Sequence, residues 1–87
     1  MITMKGETLQ TIRQLLDLKQ ADVARHIRRY DGRGCIDDTT LSRIERCYLE
    51  PTDAFVWDYM EALIEATAEK AERAREAAEA MAEGVPA

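Results

Sequence analysis

The stretch of the chain that most limits its possible folds lies between Pro51 and Gly84, where neither proline nor glycine occurs. Thr52 and Asp53 are both suited to cap a helix that begins here. A helix of about 31 residues would be about 46 Å long at 1.5 Å per residue. The sequence therefore predicts one long C-terminal helix, against part of which the rest of the chain has to pack.

Three shorter helices are predicted before Pro51 from apolar residues at helical spacing. The first covers residues 6–18, the second begins at Gln20 with Gly32 available as a stop, and the third follows Asp37 and Asp38, either of which can cap it. The expected core-facing residues are Leu9, Ile12, Leu15, Leu16, Val23, Ala24, Ile27, Leu41, Ile44 and Cys47. Because the alternating pattern of a strand is absent, the sequence predicts an all-α, compact bundle of about four helices.

The two halves of the long helix differ in their apolar residues. The first half has large ones, and its expected core-facing residues are Phe55, Val56, Tyr59, Met60, Leu63 and Ile64, with Trp57 at the edge. A heptad pattern continues beyond them, made up of Met60, Ile64, Thr67, Ala71, Ala74, Ala78 and Met81. It predicts either a seam that pairs two copies of the chain or one face of a solvated single helix, stabilised by helix propensity and charge pairs.

The net charge of -5 is unevenly distributed along the 87 residues. Residues 1–50 carry nine basic and eight acidic side chains, whereas residues 51–87 carry three and nine. Residues 19–46 alone hold seven basic against five acidic side chains. Because a polyanion docks on a local patch, the acidic total does not exclude a nucleic-acid partner. We divide the chain into a predicted binding domain, residues 1–66, and an Ala/Glu-rich helical extension, residues 67–87.

Several function classes have little support in the sequence. Cys35 and Cys47 lie twelve positions apart and His26 is the only histidine, so we expect neither a metal site nor a disulfide framework. We expect Cys35 as a loop thiol and Cys47 as a small core residue, consistent with a reducing cytoplasm. No apolar run of about 18 residues predicts a membrane span. We also expect no catalysis, no cofactor and no small-molecule substrate.

The third predicted helix has a distinct pattern in "TTLSRIERC", residues 39–47. Its apolar residues form a back, while Thr39, Ser42 and Arg43 face the other way and Arg46 follows one turn later. A helix that docks in the DNA major groove needs short hydrogen-bonding groups and long cations on its outer side. An ordinary amphipathic helix with a solvated arginine face has the same features, so this pattern alone leaves both interpretations open.

The order "IRQLLDLKQADVA", "TTLSRIERC" and "EPT" resembles the lambda-repressor-like, Cro-type helix-turn-helix family of DNA-binding domains. The resemblance covers about residues 9–65, and "LSRIE" is its most specific part. The matching positions are Ile12-Arg13, Leu18-Lys19-Gln20, Ala24 and residues 40–46. The resemblance implies a helix-turn-helix fold with Ala24 in the tight crossing of the two motif helices.

The resemblance also implies roles for individual residues. The base-reading positions are occupied by Asp38, Thr39, Ser42 and Arg43. Asp38 can instead cap the helix, which suits a carboxylate better than a place beside phosphate. Lys19, Gln20 and Arg46 are expected on the DNA backbone. Arg13 and Glu45 match a family pair that forms an internal ion pair between the first and third helices.

The chain departs from the family pattern between the two motif helices. Ala24 and Leu41 are 17 positions apart, which is about seven more than a short motif turn allows. The additional residues fall in "RRYDGRGCIDD", residues 28–38, and form either a wing-like loop or a longer second helix with a slack connection. The residues expected to contact the DNA backbone from this loop are Arg28, Arg29 and Arg33.

A second departure lies at the end of the third helix. Cys47 stands where the family has a glycine that terminates this helix. We therefore expect the helix to continue toward Tyr48 or Leu49.

Together these features predict a DNA-binding transcriptional regulator of the phage repressor or Cro type, which binds double-stranded operator DNA as a homodimer in the cytoplasm. The alternative is a protein-interaction module, such as an antitoxin or anti-restriction factor, that acts through its acidic C-terminal helix. Salt-dependent binding to duplex DNA would favour the first, and a stoichiometric protein complex that excludes DNA would favour the second.

Overall fold

The computed structural model of the protein describes residues 4–28 and 34–83, and these residues form four helices. The helices are α1 (Gly6–Leu15), α2 (Gln20–Ala24), α3 (Asp38–Glu45) and α4 (Asp53–Glu83). Within the described ranges the only strand-like pairing is an isolated antiparallel bridge between Arg28 and Cys35. The predicted all-α bundle with a long C-terminal helix is therefore confirmed.

The hydrophobic core lies between the three short helices and the first half of α4. Its buried residues are Leu9, Leu18, Val23, Ala24, Ile27, Leu41, Ile44, Phe55, Val56, Tyr59, Ala62, Leu63 and Ala66. Ile12 and Met60 are partly buried against them. At the N-terminus of α1, a Cβ atom on Gly6 would overlap the carbonyl oxygen of Ile44. The absence of a side chain at Gly6 thus allows the backbones of α1 and α3 to approach closely.

Two helices begin with side-chain caps of the kind the sequence predicts. Asp37 Oδ1 accepts a hydrogen bond from Thr40 N–H at 2.7 Å, and Thr52 Oγ1 accepts one from Phe55 N–H at 3.1 Å. Asp37 is thus the cap of α3, whereas Asp38 is the first residue inside the helix and is exposed. The capping role that we expected for Asp38 is wrong.

Helices α1 and α3 both end in a Schellman turn that contains no glycine. After α1, Leu18 N–H donates to the Arg13 carbonyl at 3.1 Å, and the intervening Asp17 has φ 56°. After α3, Tyr48 N–H donates to the Arg43 carbonyl at 2.8 Å, and the intervening Cys47 has φ 65°. These hydrogen bonds satisfy carbonyls at the helix ends, and they need one residue in the left-handed conformation.

The turn at Cys47 overturns two expectations about this residue. The helix ends at Glu45 and does not continue to Tyr48 or Leu49. Cys47 is exposed and not part of the core, because the left-handed turn points the chain away from the apolar back of α3. Leu41 and Ile44 form that back without it.

Replacing Cys47 with glycine should stabilise the protein. A non-glycine residue in the left-handed region costs about 1–2 kcal/mol, and glycine avoids this cost. Glycine also loses more conformational entropy on folding, which offsets part of the gain. We expect the free energy of unfolding to rise by about 0.5–1 kcal/mol, measured by urea denaturation. Cys47→Ala is the matched control and should bring no gain, since it retains Cβ. A Cys47→Gly midpoint no higher than that of Cys47→Ala would contradict this account.

Besides Cys47, three residues expected in the core are instead exposed. Leu15 is 80% exposed and Leu16 40%, because the turn at the end of α1 directs Leu18 into the core in their place. Ile64 is 70% exposed, since it lies about 140° around the helix from Tyr59 at about 100° per residue. Alanines fill the corresponding core positions of α4.

The second helix is shorter than the sequence suggested. It ends at Ala24, so the prediction of a longer second helix that runs to Gly32 is wrong. Beyond α2, Ile36 N–H donates to the Ile27 carbonyl at 2.7 Å, which brings these two residues together. Gly32, Arg29 and Arg33 lie outside the described residues.

Polar contacts attach α4 to the short helices beyond the core. His26 lies between two carboxylates of α4, with Nδ1 3.0 Å from Glu65 and Nε2 2.8 Å from Glu69. Lys70 Nζ donates to the carbonyl and carboxylate of Asp17, at 2.7 and 2.8 Å. The part of α4 that contacts the rest of the protein therefore reaches Lys70, and every described residue after it is exposed.

Candidate nucleic-acid interface

The outer side of α3 forms a shallow concave surface, which we call the α3 surface. Its lining residues are Gln20, Asp38, Thr39, Ser42, Arg43, Arg46 and Tyr48. The structure therefore brings together all four residues at the predicted base-reading positions and two of those predicted to contact the DNA backbone. Arg43 lies about 160° around α3 from Glu45, at about 100° per residue. It thus points away from the core.

Tyr48 is a member of this surface that sequence reasoning missed. It is 75% exposed, and the Schellman turn after Glu45 places it beside Arg46. The sequence predicts that α3 continues through this position, which would direct Tyr48 elsewhere. Only correct placement of the helix end could have identified it.

The buried side of α3 holds a charged network centred on Glu45, which is 1% exposed. Arg13 donates to both of its carboxylate oxygens, from Nε at 2.9 Å and from Nη2 at 2.8 Å. Tyr59 OH donates to Oε2 at 2.7 Å, and Gln20 Nε2 to Oε1 at 3.1 Å. The ion pair predicted between Arg13 and Glu45 is thus present, and residues of α2 and α4 complete it.

This network is also visible in the pKa values of its members. Burial opposes ionisation of Glu45, but hydrogen bonds from Arg13, Tyr59 and Gln20 outweigh it and hold the pKa of this carboxyl below its ordinary value. Burial, together with the hydrogen bond to Glu45, raises the pKa of the Tyr59 hydroxyl. Glu45 is therefore a carboxylate and Tyr59 a neutral donor at neutral pH. Four segments of the chain meet at one fixed charge, which sets the orientation of α3.

Gln20 has a place in both the network and the surface. The resemblance assigned its side chain to DNA phosphates, and it does line the α3 surface. One of its amide N–H groups, however, is used by Glu45. Any contact between Gln20 and a ligand on the α3 surface would therefore be coupled to the buried network.

The remaining residues predicted at a DNA backbone lie away from the α3 surface. Lys19 lines a separate depression between the α1–α2 turn and α4, beside Lys70 and Arg73. Arg28 lies at the edge of an apolar cavity on the other flank of α3. Arg29 and Arg33 are outside the described residues. The structure thus separates the predicted contacts into a central surface and two flanks.

The described residues contain no group of three or more histidine, cysteine or acidic side chains placed to hold a metal ion. Cys35 and Cys47 are both exposed free thiols. In the same part of the chain, no helix combines the length and apolarity that crossing a membrane requires.

Comparison with known proteins identifies no relative, since no family model, curated protein or solved structure matches the chain. A function for this protein is therefore inferred from the α3 surface and from the residues that carry the helix-turn-helix resemblance.

Proposed function

We propose that this protein is a transcriptional regulator of the phage repressor or Cro type, which binds operator DNA as a homodimer through the α3 surface. One observation carries the proposal. The side chains of a short helix that suit base recognition share its exposed side, while a buried ion pair anchors its other side to α1. A recognition helix needs this combination of free outer groups and a fixed back.

The chemistry of the α3 surface suits the edges of DNA bases. The guanidinium of Arg43 can donate two parallel hydrogen bonds to O6 and N7 of guanine. The hydroxyls of Thr39 and Ser42 can donate or accept at neighbouring positions. Asp38 is exposed and acts as an acceptor, which suits the amino group of cytosine. Arg46 lies one turn further along, where a cation would meet a phosphate.

Replacing Arg43 with alanine should relax the preference for one base pair of the operator. The loss of a bidentate contact to guanine is expected to cost about 1–3 kcal/mol on the preferred site and little on sites that differ at that pair. The preferred site would be obtained by selection from random duplex oligonucleotides, and affinities measured by fluorescence anisotropy. If the selected motif of Arg43→Ala equals that of the unchanged protein, the placement of the recognition helix is wrong.

Lys19→Ala and Arg46→Ala each remove one cation and serve as controls for Arg43→Ala. If these residues contact phosphates, each variant should weaken binding to all sequences alike and reduce the salt dependence by about one phosphate contact. Titrations at several salt concentrations measure this slope. A change of sequence preference in Arg46→Ala, with an unchanged slope, would place Arg46 on bases rather than on the backbone.

A protein-interaction module, such as an antitoxin or anti-restriction factor, is the second candidate. It is favoured by the exposure of α4 beyond Lys70, where four glutamates stand against two arginines in the described residues. A stoichiometric complex formed through this segment, with no affinity for any duplex DNA, would support it against the DNA-binding proposal.

A further inference from the structure

A line of mostly apolar side chains runs along α4 beside its core-facing residues, with Met60 partly buried against the core, and it begins earlier than the predicted heptad pattern. Trp57 is 59% exposed and lies three positions before Met60, so it continues the alternating steps of three and four toward the N-terminus. Ile64 and Met81 are 70% and 73% exposed. The resulting α4 seam consists of Trp57, Met60, Ile64, Thr67, Ala71, Ala74, Ala78 and Met81.

The side chains of the α4 seam are unequal in size along its length. The three large residues at its start occur within eight positions, whereas alanine fills three of the four positions from Ala71 onward. If two copies paired in parallel, Trp57 would face Trp57 and Ala74 would face Ala74. The bulky end would hold the helices apart and leave the alanines without contacts, which conflicts with dense packing.

An antiparallel pairing centred near residue 69 removes this conflict, because each large residue then faces a small or flexible one. The facing layers are Trp57 with Met81, Met60 with Ala78, Ile64 with Ala74, and Thr67 with Ala71. Alternation of large and small side chains across an interface lets the layers interdigitate. The sizes of the seam residues therefore favour the antiparallel arrangement.

The charges beside the α4 seam favour the same arrangement. In the antiparallel pairing, Glu61 of each copy faces Arg75 of the other, which gives two attractive contacts by symmetry. In a parallel pairing, Glu61 and Arg75 would not face each other and Lys70 would instead lie near Arg75 of the other copy, so both attractive contacts would be lost. The two Lys70 side chains approach the centre of the antiparallel pair, but each is neutralised by Asp17 of its own chain at 2.8 Å.

We propose that a second copy of this chain covers the α4 seam, with the two α4 helices antiparallel and the two-fold axis near residue 69. The occupant is identified by the complementarity of the seam with itself, in both size and charge. Both copies use the same surface, as a closed two-fold dimer requires.

The antiparallel dimer sets the distance between the two α3 helices, and the meaning of this distance rests on the proposed DNA-binding function. Tyr59 is hydrogen-bonded to Glu45 of α3, so each α3 lies beside a point ten residues from the axis. At about 1.5 Å per residue, the two α3 helices are about 30 Å apart along the helix direction. The lateral offset between the paired helices increases this value toward the roughly 34–36 Å that separates successive half-sites in operator DNA.

Both α3 surfaces would also lie on the same side of the dimer. The core-facing residues of α4 are centred on Tyr59, and the α4 seam is centred about 120° around the helix from it, at about 100° per residue. The two-fold axis of an antiparallel helix pair is perpendicular to the plane of the two helices. Both sets of short helices are therefore on one side of that plane, where a single DNA duplex can contact both.

Disulfide trapping tests the direction of pairing. In a Cys35→Ser, Cys47→Gly background, Ile64→Cys and Ala74→Cys are prepared as separate proteins, and both changes lie at exposed positions. On mild oxidation, only the mixture of the two should give a cross-linked dimer, because residue 64 faces residue 74 in the antiparallel pair. Cross-linking of each protein with itself when kept separate, with no disulfide between the two different variants in the mixture, would show a parallel pair and overturn the proposal.

Charge reversal gives an independent readout by sedimentation equilibrium without DNA. Arg75→Glu should raise the dimer dissociation constant by up to about tenfold, since two exposed pairs are lost, and Glu61→Arg in the same chain should restore it. A tighter dimer in Arg75→Glu alone would indicate the parallel arrangement, and a monomeric unchanged protein would exclude both. Because DNA is absent, failure of this proposal is distinguishable from failure of the proposed function.

Discussion

Replacement of Glu45 by glutamine should lower the free energy of unfolding by about 3–5 kcal/mol, because it leaves the buried charge of Arg13 without a partner. The amide has nearly the shape of the carboxylate, so the loss is electrostatic rather than steric. It also presents an N–H group to Arg13, which has only donors to offer. Urea denaturation at neutral pH measures the effect. A loss of this size is a large part of the 5–15 kcal/mol that stabilises a typical domain.

Removal of the whole network distinguishes a stranded charge from lost packing. Arg13→Met should be about as harmful as Glu45→Gln, and Arg13→Met with Glu45→Leu should recover part of the loss. Adding Tyr59→Phe should recover more, since the Tyr59 hydroxyl would otherwise be buried without an acceptor. If the losses of the single variants simply add in the double variant, the pair contributes no coupling energy.

An exposed ion pair provides the control for this series. Arg25 and Asp22 lie 3.3 Å apart on the surface, and their side chains are 42% and 29% exposed. Arg25→Met should therefore cost at most about 1 kcal/mol. If Arg25→Met and Glu45→Gln lower the free energy of unfolding by similar amounts, burial of the network does not determine how much it contributes to stability.

The long helix and its start were predictable because their signals are local. The interval from Pro51 to Gly84 lacks any helix breaker, and Thr52 is a good cap, so α4 has the length that the sequence predicts. The pair of Arg13 and Glu45 was predictable for a different reason. It depended on the family resemblance, since no local pattern joins residues 32 positions apart.

The exposed leucines and the turn at Cys47 were not predictable, for two physical reasons. An apolar stripe marks one side of a helix but does not show where the covering elements end, so Leu15 and Ile64 fell on the expected side and still face solvent. A left-handed residue is usually signalled by glycine, and here aspartate and cysteine occupy those positions. Without that signal, the end of α3 and the position of Tyr48 could not be placed.

Deleting residues 74–87 should reduce the affinity for a palindromic operator roughly 100- to 10,000-fold, the range by which bivalent binding exceeds binding by one module. The deletion removes Ala74, Ala78 and Met81, and with them three of the four layers of the antiparallel seam. It retains Glu69 and Lys70, whose contacts with His26 and Asp17 are the last that attach α4 to the short helices. The truncated chain should therefore fold, sediment as a monomer and bind half of the operator only weakly.

The sign of the charge change makes this result informative. Residues 74–87 carry one arginine and three glutamates, so their removal makes the protein less acidic by two charges. Less negative charge favours binding to DNA, and a loss of affinity must then come from loss of the dimer. Full-length Glu79→Gln with Glu83→Gln matches the charge change and should keep both the dimer and the affinity. A truncated chain that still sediments as a dimer would require the parallel pairing, in which the layers from Trp57 to Ala71 survive the deletion.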